Sequence, residues 1–264
     1  MRSYLQSAIM LIKAKEALYR RINEVFLAAR LAYQPGFIYR ASVSNHAYRS
    51  RTGKRSIYLW SSLFNNMANP QLLDMIEAKG VSHLILSVGK KTNLRKAKRL
   101  IAMAEERGVE VSAMVGANEW IYPKHHQRAA LMVAAAAELT GRVHLDIEPH
   151  TLPGYKENKV AYLESYIKML QFIKPAVGQR HLSVAVPTHW PPEIYQRIAE
   201  LTDRLYIMSY ETDDLELQIK RLKRVMQGAP QASSTAVLSI KDYQDEWALE
   251  QMIEGLNSRL QLDE

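Results

Sequence analysis

The sequence predicts an α/β fold, namely a (β/α)8-type TIM barrel, and two observations support this prediction. Short apolar runs rich in β-branched residues alternate with longer segments whose apolar residues recur at three- and four-residue steps, as expected for βα units. The strand ends carry polar and aromatic residues, and no Gly-rich phosphate-binding fingerprint follows an early strand. A doubly wound open sheet would show the same alternation. The polar strand ends favour the barrel, because barrel active sites lie where the carboxyl ends of the strands converge.

The composition is that of an ordinary globular protein with one large domain. The chain has 264 residues, of which 47% are hydrophobic and 23% are charged, and single barrels commonly have this length. Cysteine is absent, which excludes disulfides, thiolate nucleophiles, zinc–thiolate sites and iron–sulfur clusters. No motif indicates a cofactor, so none is expected.

The N-terminal part of the chain is expected to lie outside the barrel. Residues 1–33 have the apolar spacing of one long amphipathic helix. We expect this helix to pack on the barrel, with a role in contacting a partner protein or a membrane surface as the alternative. Residues 34–55 are predicted to be a linker, and residues 56–264 the (β/α) barrel domain. No run of about 18 apolar residues indicates a transmembrane span, and the early Lys13, Lys15 and Glu16 argue against a signal peptide.

Seven strands are predicted from the apolar runs. They cover residues 57–61, 82–88, 109–115, 142–148, 181–187, 204–210 and 235–240. The helices between them have recognisable ends, such as Asn69-Pro70 at a start and Gly80 and Gly108 at stops. Only Arg259–Leu262 remains for an eighth strand, so the last βα unit is predicted to be incomplete.

The formal net charge of +8 raises the question of an acidic partner. Basic residues cluster at 48–55, 90–99 and 220–224, and the last two runs fall on predicted helix faces exposed to solvent. No aromatic residues interleave with these runs, as a nucleic-acid platform would require. A nucleic-acid partner is therefore not expected.

The predicted fourth strand carries the strongest chemical signal. His144, Asp146 and Glu148 are two residues apart, so they share one face of the strand, which we expect to be the barrel interior. Two carboxylates a few ångströms apart do not both ionise cheaply, which suits a general acid. A satisfied polar network inside the barrel is the alternative interpretation. A metal site is not favoured, because strand alternation spreads such ligands in a row rather than around a point.

Two motifs resemble glycoside hydrolase family 18, the chitinase-like barrels. They are Leu145-Asp146-Ile147-Glu148 on the fourth strand and Tyr206-Ile207-Met208-Ser209-Tyr210-Glu211 on the sixth. The resemblance implies that Glu148 is the general acid/base, that Asp146 orients a 2-acetamido group and that Tyr210 steadies a cyclic intermediate. The sequence departs from the family pattern at Gly141 and His144, which occupy upstream Asp positions. His144 could hydrogen-bond Asp146 but could not replace a carboxylate there.

Aromatic residues at the strand ends independently indicate carbohydrate binding. Trp60, Trp120 and Trp190 each follow a predicted strand, where their rings could stack on sugars. Trp247 is predicted to be a packed helix residue. The remaining expected substrate-binding residues are polar and lie on or just after strands: Asn118, His144, His189 and Glu211.

The sequence therefore predicts a glycoside hydrolase-like protein that acts on an amino-sugar polysaccharide or glycan. A second protein carboxylate, if one is needed, could come from Glu211 or Asp242. The alternatives are a noncatalytic carbohydrate-binding barrel and a structural component of an envelope polysaccharide system. A polysaccharide substrate favours a secreted or cell-envelope location over a cytoplasmic one, although no signal peptide is recognisable.

Overall fold

A computed structural model describes residues 55–260 of the chain. The predicted helix over residues 1–33 lies outside the described residues, as do the linker up to residue 54 and residues 261–264. Arg55, placed in the linker from sequence, begins the first strand.

Strands and helices alternate along the described chain. The strands are β1 (Arg55–Leu59), β2 (Val81–Ser87), β3 (Glu110–Val115), β4 (Arg142–Leu145), β5 (His181–Pro187), β6 (Arg204–Met208) and β7 (Ser233–Val237). The helices are α1 (Ser61–Asn66), α2 (Asn69–Ala78), α3 (Leu94–Glu106), α4 (His126–Thr140), α5 (Lys159–Val177), α6 (Pro192–Ala199), α7 (Leu215–Gly228) and α8 (Glu246–Arg259). Short 3-10 turns follow β3, β4 and β7.

The seven strands form one parallel sheet in sequence order, so the predicted TIM-barrel architecture and all seven predicted strands are confirmed. The fourth strand is shorter than predicted and ends at Leu145 rather than Glu148. The Asp146 N–H still donates to the Val115 carbonyl at 3.3 Å. Asp146 and Glu148 therefore stand on the segment that leaves the sheet.

Within residues 55–260, β1 and β7 pair with no further strand. Instead, ion pairs connect α8 to β1 and to α7. Glu250 of α8 accepts two hydrogen bonds from Arg55 of β1, both at 2.7 Å. Near the end of α8, Arg259 pairs with Glu216 of α7 at 2.7 Å.

The outer face of the sheet is apolar, whereas much of its inner face is polar. On β4 and just after it, Val143, Leu145 and Ile147 are fully buried against the helices, as the strand alternation predicts. On the inner face, His83 accepts or donates hydrogen bonds with Ser112 at 2.8 Å and with Tyr206 at 3.0 Å. Barrel interiors are more often filled by branched aliphatic side chains. The interior of this barrel instead contains a network of hydrogen-bonded polar side chains.

None of the described helices has the length and apolar character needed to cross a membrane.

Candidate active site

Glu148 lies directly after β4, and its backbone is held on both sides. Its N–H donates to Asn118 Oδ1 at 2.7 Å, and its carbonyl accepts from Thr151 Oγ1 at 2.8 Å. Asn118 Nδ2 in turn donates to Thr151 Oγ1 at 2.7 Å. Asn118 follows β3, so one amide side chain connects two strand ends. The Glu148 side chain is 28% exposed, and its carboxylate is therefore accessible to a ligand.

His150 is a neighbour of Glu148 that the sequence did not single out. Its Nε2 lies 3.2 Å from Glu148 Oε2. The His150 ring also packs edge-on against His189, with 5.1 Å between ring centroids. Burial, followed by the charge of His150, lowers the pKa of His189. The only sequence signal for His150 was its position two residues beyond Glu148.

His189 is exposed at the end of β5, where the sequence placed it. The contact with His150 brings His189 to the Glu148 side of the rim. The Glu148 carboxylate and the two imidazoles thus form one cluster of polar side chains at this rim.

His144 faces the barrel interior as predicted, but it is fully buried. Its Nε2 lies 3.0 Å from the Tyr58 hydroxyl and its Nδ1 lies 3.0 Å from Ser183 Oγ. Burial lowers the pKa of His144 to about 3, with a smaller contribution from His83, so the ring is neutral at physiological pH. The expected hydrogen bond between His144 and Asp146 is therefore wrong, because both ring nitrogens are engaged elsewhere. The expectation that His144 binds substrate is also wrong, because its ring is fully buried.

Asp146 is placed by a close approach of two strand ends. A Cβ on Gly116 would lie 2.0 Å from the Asp146 carbonyl oxygen and 2.8 Å from its carbonyl carbon. Only glycine leaves room for this contact, because the opposing atoms are backbone. The Asp146 side chain is partly buried, and its charge adds to burial in raising the pKa of Tyr166 on α5.

Tyr210 and Trp60 are brought together at the carboxyl end of the barrel. Both are partly buried and pack on the same inner cluster, which includes Tyr58, Tyr206 and Met114. The Tyr210 carbonyl accepts a hydrogen bond from Arg221 of α7 at 2.8 Å.

Glu211 follows Tyr210 in a strained backbone conformation. Its φ is +65°, a region that non-glycine residues rarely adopt. Its N–H donates to Asp242 Oδ2 at 2.7 Å, and burial is the main cause that raises the pKa of Asp242. Such strain is often stored at functional sites. The exposed Glu211 side chain and the Asp242 carboxyl therefore lie together where β6 and β7 end.

The structure corrects the expectation for two tryptophans. Trp120 is 6% exposed and Trp190 is 0% exposed, so neither ring can stack on a sugar in this conformation. Trp190 packs instead on Tyr166, with 5.3 Å between ring centroids. Trp247 lies on a helix as predicted, but it is 67% exposed rather than packed.

Among residues 55–260, no group of three or more metal-ligating side chains is arranged to hold a metal ion. In the set His144, Asp146 and Glu148, the His144 ring is already hydrogen-bonded to Tyr58 and Ser183.

Comparison with known proteins agrees with this fold. No protein-family model matches the sequence, and no curated protein matches it. Among solved structures, a chitinase from Bacteroides thetaiotaomicron superposes with a TM-score of 0.52 at 13% identity, covering 70% of this chain and 66% of that chain. A family 18 chitinase from Cycas revoluta, solved with (GlcNAc)4, superposes with a TM-score of 0.51 at 12% identity, covering 70% of this chain and 68% of that chain.

These matches span about two thirds of each chitinase chain. At such low identity they show the fold alone. The chain has the glycosidase-like fold of a chitinase-like TIM barrel.

Proposed function

We propose that this protein is a glycoside hydrolase acting on an amino-sugar polysaccharide or glycan, with Glu148 as its general acid/base. One observation supports the proposal above the others. A partly exposed carboxylate lies three residues after the fourth strand of a chitinase-like barrel, and the backbone of Glu148 is fixed by Asn118 and Thr151. Barrel enzymes place their catalytic groups at this end of the strands.

In the proposed reaction, protonated Glu148 gives its proton to the glycosidic oxygen as the bond to the anomeric carbon breaks. The substrate's own acetamido oxygen bonds to that carbon, so no protein nucleophile is required, as in other substrate-assisted glycosidases. Asp146 orients the acetamido group and Tyr210 steadies the cyclic intermediate. The Glu148 carboxylate then takes a proton from the water that opens the intermediate, which restores the starting state.

His150 would assist as a positioning residue. Its Nε2 contacts one carboxylate oxygen of Glu148, which leaves the other oxygen to face the substrate. Trp60 and the exposed His189 and Glu211 are the remaining residues that we propose to contact sugar.

The experiment compares the wild-type chain with Glu148→Gln, which keeps the side-chain shape but carries no transferable proton. Release of reducing ends is measured on an N-acetylated polysaccharide and on its deacetylated counterpart. We expect turnover on the acetylated polymer only, with a loss of about 10²–10⁴-fold in the variant. Glu119→Gln is the matched control, because Glu119 is an exposed acid just after β3. Equal rates in the wild type and Glu148→Gln would refute the assignment of Glu148.

A noncatalytic carbohydrate-binding barrel is the second candidate, and the state of His144 favours it. The family pattern has a carboxylate at this position, whereas here a buried neutral imidazole bonds to Tyr58 and Ser183. The residue two positions before Asp146 is therefore an imidazole rather than a carboxylate. Binding of acetylated oligosaccharide without turnover, and with little effect of Glu148→Gln on affinity, would select this function.

A further inference from the structure

A cavity of about 330 Å³ opens between the amino ends of the strands and extends along β7 to Leu238 and Ile240, which follow that strand. Glu148 does not line this cavity. Six strands contribute their first residue to its wall: Arg55, Val81, Glu110, Arg142, His181 and Arg204. Helix α8 contributes Leu249, Ile253 and Leu256. The volume is at the lower end of the roughly 300–1,000 Å³ of small-molecule sites. The amino ends of the strands and α8 together form a pocket of ligand size.

Within the described part of the chain, one guanidinium of this pocket has no carboxylate partner. Arg55 is paired with Glu250 at 2.7 Å, and Arg142 is paired with Glu110 at 3.2 Å. Arg204 donates to the Thr235 hydroxyl at 3.2 Å, and within residues 55–260 it makes no ion pair. Arg204 is partly buried, and a partly buried cation is costly unless an anion compensates it.

The rest of the wall is largely apolar. Ile57 and Val81, together with the three α8 residues, line the cavity. Arg142 and Glu110 have side chains 37% and 47% exposed, so this part of the wall is open to solvent. A ligand that fits has one negative charge, to meet Arg204, and an apolar body, to cover the aliphatic wall.

We propose that the amino end of this barrel is a second binding site, which takes a small organic carboxylate with an apolar body. The carboxylate would accept hydrogen bonds from the Arg204 guanidinium, a geometry that guanidinium groups satisfy well. The site uses none of the residues assigned to glycoside hydrolysis, so the two proposals can be tested independently.

The test measures binding of benzoate and octanoate to the full chain by calorimetry or ligand-observed NMR. Benzyl alcohol and octanol serve as neutral counterparts, and inorganic phosphate as an anion without an apolar body. We expect both carboxylates to bind and the alcohols and phosphate to bind at least about tenfold more weakly, because only the carboxylates combine a charged hydrogen bond to Arg204 with an apolar body. Equal binding of the alcohols, preference for phosphate, or no carboxylate binding would overturn the proposal.

Two variants locate the site. Arg204→Gln removes the charge and should weaken carboxylate binding about tenfold or more, whereas Arg128→Gln, at an exposed position on α4, should not. Ile253→Trp keeps the charge but fills the cavity, and it should also abolish binding. Unchanged binding in both cavity variants, with circular dichroism showing a folded chain, would place the carboxylate elsewhere and refute the assignment.

Discussion

The two ends of the barrel differ in the groups that they present. The carboxyl ends of the strands present acids, whereas the amino ends present guanidinium groups, two of them paired with acids. The acids that follow strands include Asp146, Glu148, Glu211 and Asp242, and the arginines that begin strands are Arg55, Arg142 and Arg204. The proposed proton transfer to a substrate uses an acid at one end, and the proposed anion site uses a cation at the other.

Between the two ends lies a neutral polar layer. His144 has a pKa of about 3 because it is buried, and it is hydrogen-bonded to Tyr58 and Ser183. His83 connects Ser112 to Tyr206 in the same way. The His144 ring therefore carries no charge at neutral pH. The comparison teaches that the layer between the two charged ends combines hydrogen-bonded rings with apolar side chains such as Ile85 and Val237.

The largest effect on stability is expected at the amino end, where Arg55 and Glu250 connect β1 to α8. The Glu250 side chain is 3% exposed, and removing one partner of a buried ion pair leaves the other charge uncompensated. We expect Glu250→Gln to lower the free energy of unfolding by about 3 kcal/mol, measured by urea denaturation.

Glu216→Gln is the control for this prediction. Glu216 pairs with Arg259 at the other end of α8, but the two side chains are 69% and 48% exposed, so solvent screens the pair and little change is expected. If both variants had the same effect, the Arg55–Glu250 pair would not be what holds α8 to the sheet.

The sequence predicted the architecture well, because the spacing of apolar residues follows from which side chains are buried. Val143, Leu145 and Ile147 had to face the helices, which fixed the register of the fourth strand and turned His144 inward. The strand count followed from seven such apolar runs. The end of β4 was misplaced by three residues, because polar side chains at a strand end do not show where the sheet hydrogen bonds stop.

The contacts of the site were harder to predict, because they depend on the path of the loops. The turn Asn118–Ile121 directs Asn118 to the Glu148 backbone and buries Trp120, and no periodicity encodes that path. Trp190 is buried because it packs against Tyr166 of α5. The roles of Glu148, Asp146 and Tyr210 stay predictions that kinetics must test.

A moderate effect is expected at the carboxyl end, where β3 and β4 approach closely. In Gly116→Ala the new Cβ would meet the Asp146 carbonyl oxygen at 2.0 Å. Backbone atoms cannot move aside as a flexible side chain can, so we expect a loss of about 2 kcal/mol in stability. Displacement of the Asp146–Glu148 segment should also lower any turnover or sugar affinity. Gly89→Ala is the control, because a Cβ there meets nothing within 4 Å, and an equal loss in both variants would contradict this account.

The smallest predicted effect concerns pH and returns to the amino end of the barrel. Burial raises the pKa of Glu246 to about 7, although its partner Lys79 at 3.1 Å opposes this shift. The folded chain therefore holds a proton on Glu246 that the unfolded chain has already lost above the ordinary carboxyl pKa of 4.5. The contribution of Glu246 to stability is fully present below that value and is lost as the pH rises towards 7.

Between about pH 5 and 7.5, we expect the free energy of unfolding of the wild type to fall by about 1 kcal/mol relative to that of Glu246→Gln. This figure allows for the partly screened Lys79 pair. Urea denaturation of both chains across this range measures the difference, and a difference that stays constant or grows in favour of wild type would show that Glu246 is ionised throughout.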